Sequence, residues 1–326
     1  MKNLRAITAI LLVALILFTS ACGNNSKQEA EKEIKSESAL TDKNEVIEET
    51  KNKSDDKKIV IGSKPMPEGI ILGEILALLV EKNTDISVTR QFELGATPIL
   101  HEAIMNAEID AFPEYTGTGW MTILKEEPLN DSEELYNQVK KSYEDEYNLT
   151  WSSRIGFNNT YTIIVNNSTA EKYNLNTISD LAAVSDQLIF GANGDFYERA
   201  DGFPYIEEQY GMNFAQTDDI DIGIKYQACV EDKIQATTAF TTDGYLSENK
   251  VKSLEDDKQI FAIYDAAFVI RQEILEKYPE LEDVLKLTEG LINNQEMQKL
   301  NYEAQVEGKV HEDIAKDFLI EKGLLK

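Results

Sequence analysis

The residues in this chain best suited to chemistry are aromatic, hydroxyl and basic side chains at the ends of predicted strands. They are Lys64, Tyr115, Thr118, Tyr161, Arg199 and Tyr264. A quaternary ammonium group cannot donate a strong N–H hydrogen bond, so a protein holds it with desolvated aromatic faces, each contributing about 0.5 to 2 kcal/mol of cation–π attraction. A carboxylate needs a Lys or Arg together with a hydroxyl or a backbone N–H. These residue types suit a small ligand that carries both groups, but the sequence alone does not bring them together.

The stretch PEYTGTG at residues 113–119 is the strongest local indication of a ligand site. A strand ending at Ala111 and Phe112 would release the chain into a turn, where glycines allow the backbone and a ligand to approach closely. A helix starting near Thr116 or Thr118 would direct its free N–H groups at whatever lies against Tyr115. The alternative is a tight turn with an ordinary packed aromatic side chain.

Enzyme signatures are mostly missing from the sequence. His101 and His311 lie in separate helical segments with no Cys or His at metal-ligand spacing, so we predict no metal site. The sequence contains neither a phosphate-binding glycine loop nor a Gly-x-Ser-x-Gly nucleophile turn, and we predict no catalytic residue and no cofactor. Cys229 falls in a predicted helix and is interpreted as a buried small apolar residue.

Length and charge limit the classes of protein that this chain can belong to. At 326 residues it exceeds one average domain, which favours two lobes. The 32 Lys and Arg residues face 59 Asp and Glu residues, a net charge of −27. Such a balance argues against nucleic acid or an anionic membrane surface as a partner. It permits a cationic ligand, but a solvated acidic surface explains it equally well.

The first 22 residues have the layout of an export signal. Lys2 and Arg5 precede an apolar run over residues 6–18, which is followed by small residues and Cys22. The apolar run is short for a spanning helix. The segment resembles a bacterial lipoprotein signal, which implies a signal peptide at residues 1–21 and lipidation of Cys22.

Residues 22–57 are predicted to be a lipidated cysteine followed by a disordered tether. The segment consists mainly of Lys, Glu, Asn, Ser and Asp, a composition that cannot bury enough apolar surface to fold. Its length would let the folded part stand away from a membrane anchor.

Strand-like and helix-like segments alternate from residue 58 onward. An apolar run at residues 58–62 precedes a helical pattern, and a strand pattern at residues 86–92 precedes a helix from Pro98. The same alternation returns after residue 154, and the chain from residue 271 reads as almost entirely helical. This pattern predicts two α/β lobes with mostly parallel sheets and a ligand cleft between them.

From residue 58 to residue 325 the chain resembles the substrate-binding proteins of bacterial ABC importers for osmoprotectants. The segments that carry the resemblance are GSKPMPE at 62–68, PEYTGTG at 113–119, GFNNTY at 156–161, DFYER at 195–199, DIGIKYQA at 221–228, TTDG at 241–244 and LEDDK at 254–258. The resemblance implies a type II periplasmic-binding-protein fold, in which two α/β lobes are joined by a two-strand hinge. We expect residues 58–157 and 266–326 to form lobe 1, and residues 158–265 to form lobe 2.

The resemblance also assigns roles to individual residues. The ligand-binding aromatic cage falls on Tyr115, Tyr161, Phe240 and Tyr264. Phe240 stands where the family usually has Tyr, and it keeps the π face without the hydroxyl. The carboxylate clamp falls on Lys64, Thr118 and Arg199. Two alternatives stay open, a salt bridge from Lys64 to Glu68 and one from Arg199 to Glu198 or Asp201.

The expected function is that of a lipid-anchored receptor on the extracytoplasmic face of the cell membrane. It would bind glycine betaine, carnitine or a related betaine and deliver it to ABC permease and ATPase subunits, acting as a monomer without a cofactor. One alternative keeps the binding role but changes the solute to choline, an amino acid or a polyamine. The other is an enzyme on the same bilobed fold.

Overall fold

The computed structural model describes residues 57–198 and 202–326. Within these ranges, ten strands form two five-stranded sheets, each flanked by helices. None of the helices in the described ranges is long and apolar enough to cross a membrane. The predicted signal peptide, Cys22 and the tether up to residue 56 lie outside the described residues, as does Arg199.

Sheet 1 lies at the centre of the first lobe. In spatial order it contains β2 (Ser87–Gln91), β1 (Lys58–Gly62), β3 (Ala111–Tyr115), β10 (Ala266–Arg271) and β4 (Leu149–Trp151). Strand β1 is parallel to both β2 and β3, whereas β10 is antiparallel to both of its neighbours. Apolar side chains pack on both faces of the sheet, so its central strands β3 and β10 are buried on two sides.

Sheet 2 repeats this arrangement in the second lobe. In spatial order it contains β7 (Gln216–Asp219), β6 (Ile189–Ala192), β8 (Ala236–Phe240), β5 (Tyr161–Asn166) and β9 (Val251–Ser253). Strand β6 is parallel to β7 and β8, and β5 is antiparallel to β8 and β9. In each sheet the antiparallel strand is the first one formed after the chain crosses from the other lobe. Both sheets are therefore mixed, with one antiparallel strand among parallel ones. The exact lobe boundaries, near residues 157 and 265, remain a prediction.

The helices connect the strands and cover the sheets. They are α1 (Pro67–Asn83), α2 (Thr97–Met105), α3 (Thr116–Thr118), α4 (Ser132–Tyr147), α5 (Asn167–Tyr173), α6 (Ile178–Ala182), α7 (Gly194–Glu198), α8 (Phe203–Tyr210), α9 (Lys225–Val230), α10 (Gln272–Lys277), α11 (Glu280–Lys286), α12 (Asn294–Gln305) and α13 (His311–Glu321). A π-helical turn, Gly119–Ile123, continues α3. Helix α1 starts with Pro67 in its first turn, where the missing N–H has no intrahelical partner to lose.

Two extended segments carry the chain between the lobes, near residues 158–160 and 262–265. The Asn158 Oδ1 atom accepts a hydrogen bond of 2.7 Å from the backbone N–H of Tyr264. The backbone N–H of Asn159 donates to the Tyr264 carbonyl at 3.1 Å. The Thr116 Oγ1 atom accepts a hydrogen bond of 3.1 Å from the backbone N–H of Asp265, which connects α3 to the second crossing segment, residues 262–265. This pairing holds Tyr264 beside the end of β3.

The stretch after residue 110 differs in one respect from the sequence expectation. Strand β3 does not end at Phe112 but continues through Pro113 and Glu114 to Tyr115, where its residues pair with β10. Pro113 is tolerated because β1 pairs with β3 only at Ala111, so no neighbour needs the missing N–H. The predicted helix start is correct, since α3 begins at Thr116.

Candidate functional site

A cavity of about 320 Å³ is lined by residues of both lobes. Its walls are formed by Lys64, Met66, Pro67, Glu68, Tyr115, Thr118, Asn159, Tyr161, Phe240, Thr242, Asp243, Tyr264, Asn301 and Gln305. Six of the seven ligand-binding residues predicted from the sequence are in this set, and the seventh, Arg199, lies outside the described residues. The structure thus brings together residues that are up to 200 positions apart in the chain.

Four aromatic rings reach the cavity from four different elements. Tyr161 begins β5 and Phe240 ends β8, and the antiparallel register places them side by side. Their ring centroids are 4.6 Å apart, with the ring planes inclined by 32°. Tyr115 stands at the end of β3, and Tyr264 lies in the second crossing segment. Rings from both lobes therefore line the same space.

Gly117 allows Tyr264 to approach the turn after β3. A Cβ atom at Gly117 would lie 2.2 Å from the carbonyl oxygen of Ile263 and 3.1 Å from the Tyr264 ring. The first distance is far below a van der Waals contact and involves backbone, which cannot rotate away. Glycine at this position therefore reflects a close approach between the turn and the crossing segment.

Lys64 lies in the loop after β1 and forms a salt bridge with Glu114. Its Nζ atom is 2.5 Å from Glu114 Oε1 and 5.1 Å from the centre of the Tyr115 ring. Glu114 also accepts hydrogen bonds from the Thr97 hydroxyl at 2.9 Å and from the Tyr115 backbone N–H at 2.8 Å. The side chain of Glu114 is fully buried and that of Lys64 is 14% exposed. The alternative salt bridge from Lys64 to Glu68 is not formed.

Glu68 occupies the cavity wall, where it receives three hydrogen bonds. Its carboxylate accepts from the Tyr115 hydroxyl, from Asn159 Nδ2 at 2.8 Å and from Asn301 Nδ2 at 2.8 Å. Burial raises the pKa of Glu68, and these hydrogen bonds oppose the rise. Burial and the neighbouring Glu68 also raise the pKa of Tyr115, which keeps its hydroxyl a donor. This network fixes the hydroxyl edge of the Tyr115 ring, and the Lys64 ammonium group lies over the ring itself.

Comparison with known proteins identifies the family. Residues 57–321 match the family described as the substrate binding domain of ABC-type glycine betaine transport systems, which covers most of the chain. The chain belongs to this family. It is the solute-binding part of a transport system, and such binding domains are not enzymes.

Individual relatives agree with this assignment. The carnitine transport binding protein OpuCC of Listeria monocytogenes is 36% identical over 263 residues, which cover 80% of this chain and 85% of the relative. The ergothioneine transport permease/ergothioneine binding protein EgtU of Helicobacter pylori is 41% identical over 275 residues, or 84% of this chain. The match spans 49% of EgtU, about half of its length.

The substrate-binding domain also matches solved structures. A crystal structure of a glycine betaine/carnitine/choline ABC transporter protein superposes with a TM-score of 0.77 at 31% identity, covering 82% of this chain and all of the other. The two-lobed periplasmic-binding-protein fold expected from the sequence is confirmed.

Sequence reasoning missed several residues of this binding domain's cavity. Glu68 and Asn159 lie within segments that carry the family resemblance, but neither was assigned a role in ligand binding. Asn301 comes from α12, where the buried residues are Met297, Leu300 and Asn301. A polar residue on the apolar face of an amphipathic helix is a signal that could have identified it.

Cys229 of the substrate-binding domain is buried, as predicted, and takes no part in the cavity. It is fully shielded from solvent among the apolar residues of lobe 2. Burial raises the pKa of its thiol to about 12, which keeps the sulfur protonated at neutral pH. This state argues against a covalent role for Cys229.

Proposed function

We propose that this domain is the extracytoplasmic receptor of an ABC importer and that it binds a betaine, a small molecule with a trimethylammonium group and a carboxylate. The observation that carries this proposal is that Tyr115, Tyr161, Phe240 and Tyr264 line one cavity. Their convergence supplies the aromatic faces that a methylated ammonium requires. Membership of the glycine betaine transport family supports the same ligand class.

The ammonium end of the ligand is proposed to lie among the four rings. A trimethylammonium group has no N–H, so its binding depends on cation–π attraction and on exclusion of water. The side chains of Glu68 and Asp243 also line the cavity. Phe240 contributes its ring face without a hydroxyl, so the cage does not depend on a hydrogen bond at that position.

The carboxylate end is proposed to contact Lys64, Thr118 and Arg199. Lys64 and Thr118 line the cavity, and the salt bridge to Glu114 holds the Lys64 ammonium group in place. A lysine ammonium has three N–H donors, so one can bind Glu114 while another binds the ligand. Arg199 is included on the basis of the sequence resemblance alone.

We further propose that Cys22 is lipidated after removal of residues 1–21 and that it anchors the protein at the cell membrane. The tether would then let the folded lobes reach the permease. The receptor is proposed to act as a monomer with separate permease and ATPase subunits. Mass spectrometry of the membrane fraction would show a diacylglycerol-modified Cys22 at the start of the mature chain.

A second candidate ligand is ergothioneine, and the observation that favours it is the 41% identity with EgtU. Ergothioneine is itself a betaine, because its α-carbon carries both a trimethylammonium group and a carboxylate. It differs from glycine betaine by an imidazole-thione side chain. The same aromatic cage and the same carboxylate contacts would bind both ligands. The space in the cavity next to these contacts would determine whether the larger ergothioneine also fits.

A thermal-shift panel tests the proposed function. The ligands are glycine betaine, carnitine, proline betaine, ergothioneine, choline and a set of unmethylated amino acids. At a ligand concentration of about 100 Kd, binding adds about 2.7 kcal/mol to stability, which raises the melting temperature by roughly 5 °C or more. We expect such a shift from at least one betaine. A shift from choline or amino acids alone, or no shift from any compound, would contradict the proposal.

A further inference from the structure

Ile222 and Ile224 extend into solvent from one turn, with 60% and 53% of their surfaces exposed. Asp221 fixes this turn, because its side chain accepts a hydrogen bond of 2.8 Å from the Gly223 N–H and its carbonyl oxygen accepts one of 3.1 Å from the Ile224 N–H. The turn belongs to the segment DIGIKYQA, residues 221–228, none of which lines the ligand cavity. Single exposed apolar side chains are ordinary, whereas neighbouring ones indicate contact with another molecule.

This turn lies at the edge of lobe 2 that borders the ligand cavity. It follows β7, and β6 pairs in parallel with both β7 and β8. The carboxyl ends of parallel strands lie at one edge of a sheet, and Phe240 at the carboxyl end of β8 lines the cavity. Two residues after Ile224, the Tyr226 hydroxyl donates a hydrogen bond to Asp243, which also lines the cavity. The two isoleucines are therefore next to the cavity wall.

Ile99 occupies the corresponding edge of lobe 1. It lies in the first turn of α2, which follows β2, and 51% of its surface is exposed. Strand β2 is parallel to β1, and Lys64 of the cavity wall comes two residues after the end of β1. The Thr97 hydroxyl, at the start of α2, donates to Glu114, the partner of Lys64. Exposed apolar side chains thus border the cavity on both lobes.

The charged residues of these two edges are acidic. Glu93 is exposed in the loop before α2, and Asp219 and Asp221 are exposed at the end of β7 and in the turn after it. Neither residues 92–99 nor residues 216–224 contain a Lys or an Arg. These carboxylates repel an anionic membrane surface, and in a symmetric dimer formed through this surface they would face their own copies. A partner that fits the surface therefore supplies basic side chains as well as apolar ones.

We propose that Ile99, Ile222 and Ile224, together with the carboxylates beside them, form the surface that binds the permease of the importer. The permease receives the ligand, so it has to approach the edges that border the cavity. The part of the permease that fits is an extracytoplasmic surface with apolar side chains and Lys or Arg residues. This inference rests on the proposed function, because only the receptor of an importer delivers its ligand to a permease.

Stimulation of ATP hydrolysis tests this surface. The full chain, loaded with the betaine that gives the largest shift in the thermal-shift panel, is added to liposomes that contain the permease and ATPase subunits of the same importer. For Ile222→Ser combined with Ile224→Ser, we expect the receptor concentration at half-maximal stimulation to rise about tenfold or more, because two apolar contacts are lost. Betaine affinity in calorimetry should be unchanged, since neither residue lines the cavity.

A matched control is Val310→Ser combined with Ile320→Ser. These residues are also exposed, at 60% and 42%, but they belong to the start and the end of α13 and not to the two edges. The control should leave stimulation unchanged. Equal half-maximal concentrations for the Ile222/Ile224 variant and the control would overturn the inference alone, as would a dimer in solution that the Ile222/Ile224 variant dissociates. No stimulation by the loaded wild-type receptor would instead contradict the proposed function.

Discussion

Replacing Tyr161 with Ala is expected to abolish betaine binding in calorimetry. The ring centroids of Tyr161 and Phe240 are 4.6 Å apart across the β5–β8 pair. Removing the Tyr161 ring therefore removes one wall of the cage and leaves a gap beside the Phe240 ring. The lost cation–π attraction alone is about 2 kcal/mol in a desolvated site, roughly a thirtyfold loss of affinity. Water entering the gap would solvate the ligand's ammonium group and weaken its attraction to the remaining rings.

Two variants control for this effect. Tyr161→Phe keeps the aromatic face and should retain most of the affinity. Tyr173→Ala removes a partly buried tyrosine of the same lobe that does not line the cavity, and it should leave binding unchanged. Full affinity in Tyr161→Ala would show that the cage assignment is wrong.

Replacing Lys64 with Met is expected to destabilise the folded protein by about 3 to 5 kcal/mol. The substitution leaves the carboxylate of Glu114, which has no solvent-exposed side-chain surface, without its opposite charge. Thr97 and the Tyr115 backbone N–H still donate to it, but neither carries a charge. Denaturation by urea, monitored by tryptophan fluorescence, measures the loss.

A double variant separates the structural role of Lys64 from its role in binding. Lys64→Met combined with Glu114→Gln removes both charges and should recover most of the lost stability. If Lys64 also contacts the ligand carboxylate, this stable double variant should bind betaines less tightly, while the binding of choline, which has no carboxylate, should change little.

Lys141→Met is the surface control, because its partner Asp145 is exposed, and we expect almost no change in stability. Unchanged stability in Lys64→Met would contradict the importance of the buried pair.

The fold could be predicted from the sequence because its signals are local. Helix α4 (Ser132–Tyr147) has apolar residues at helical spacing, with Leu135, Val139 and Tyr143 buried, and the preceding Asp131 caps it by accepting a hydrogen bond from the Glu134 N–H. The direction of the strands within each sheet was harder to predict from the sequence. Strands β5 and β10 are antiparallel because of how the chain crosses between lobes, which the pattern of apolar residues does not encode.

The site was only partly predictable because its contacts join distant parts of the chain. Lys64 pairs with Glu114, 50 residues away, and not with Glu68, because Lys64 precedes α1 and is not on a shared helical face with Glu68. Glu68 instead bonds to Asn301, 233 residues away. No local spacing reveals such a pair. Tyr115, Tyr161 and Tyr264 were candidates because they lie at the ends of predicted strands, but the family resemblance was needed to group them with Phe240 in one cage.

The most direct test of the central claim compares glycine betaine, carnitine and any betaine selected by the thermal-shift panel with analogues that have a tert-butyl group in place of trimethylammonium. For glycine betaine the analogue is 3,3-dimethylbutanoate, which has the same shape and the same carboxylate but no positive charge. A calorimetric titration of the full chain is expected to show that the betaine binds at least about thirtyfold more tightly than its tert-butyl analogue, since the rings attract the trimethylammonium cation and not the neutral tert-butyl group. Equal affinities for a betaine and its tert-butyl analogue would contradict the aromatic cage as the basis of recognition.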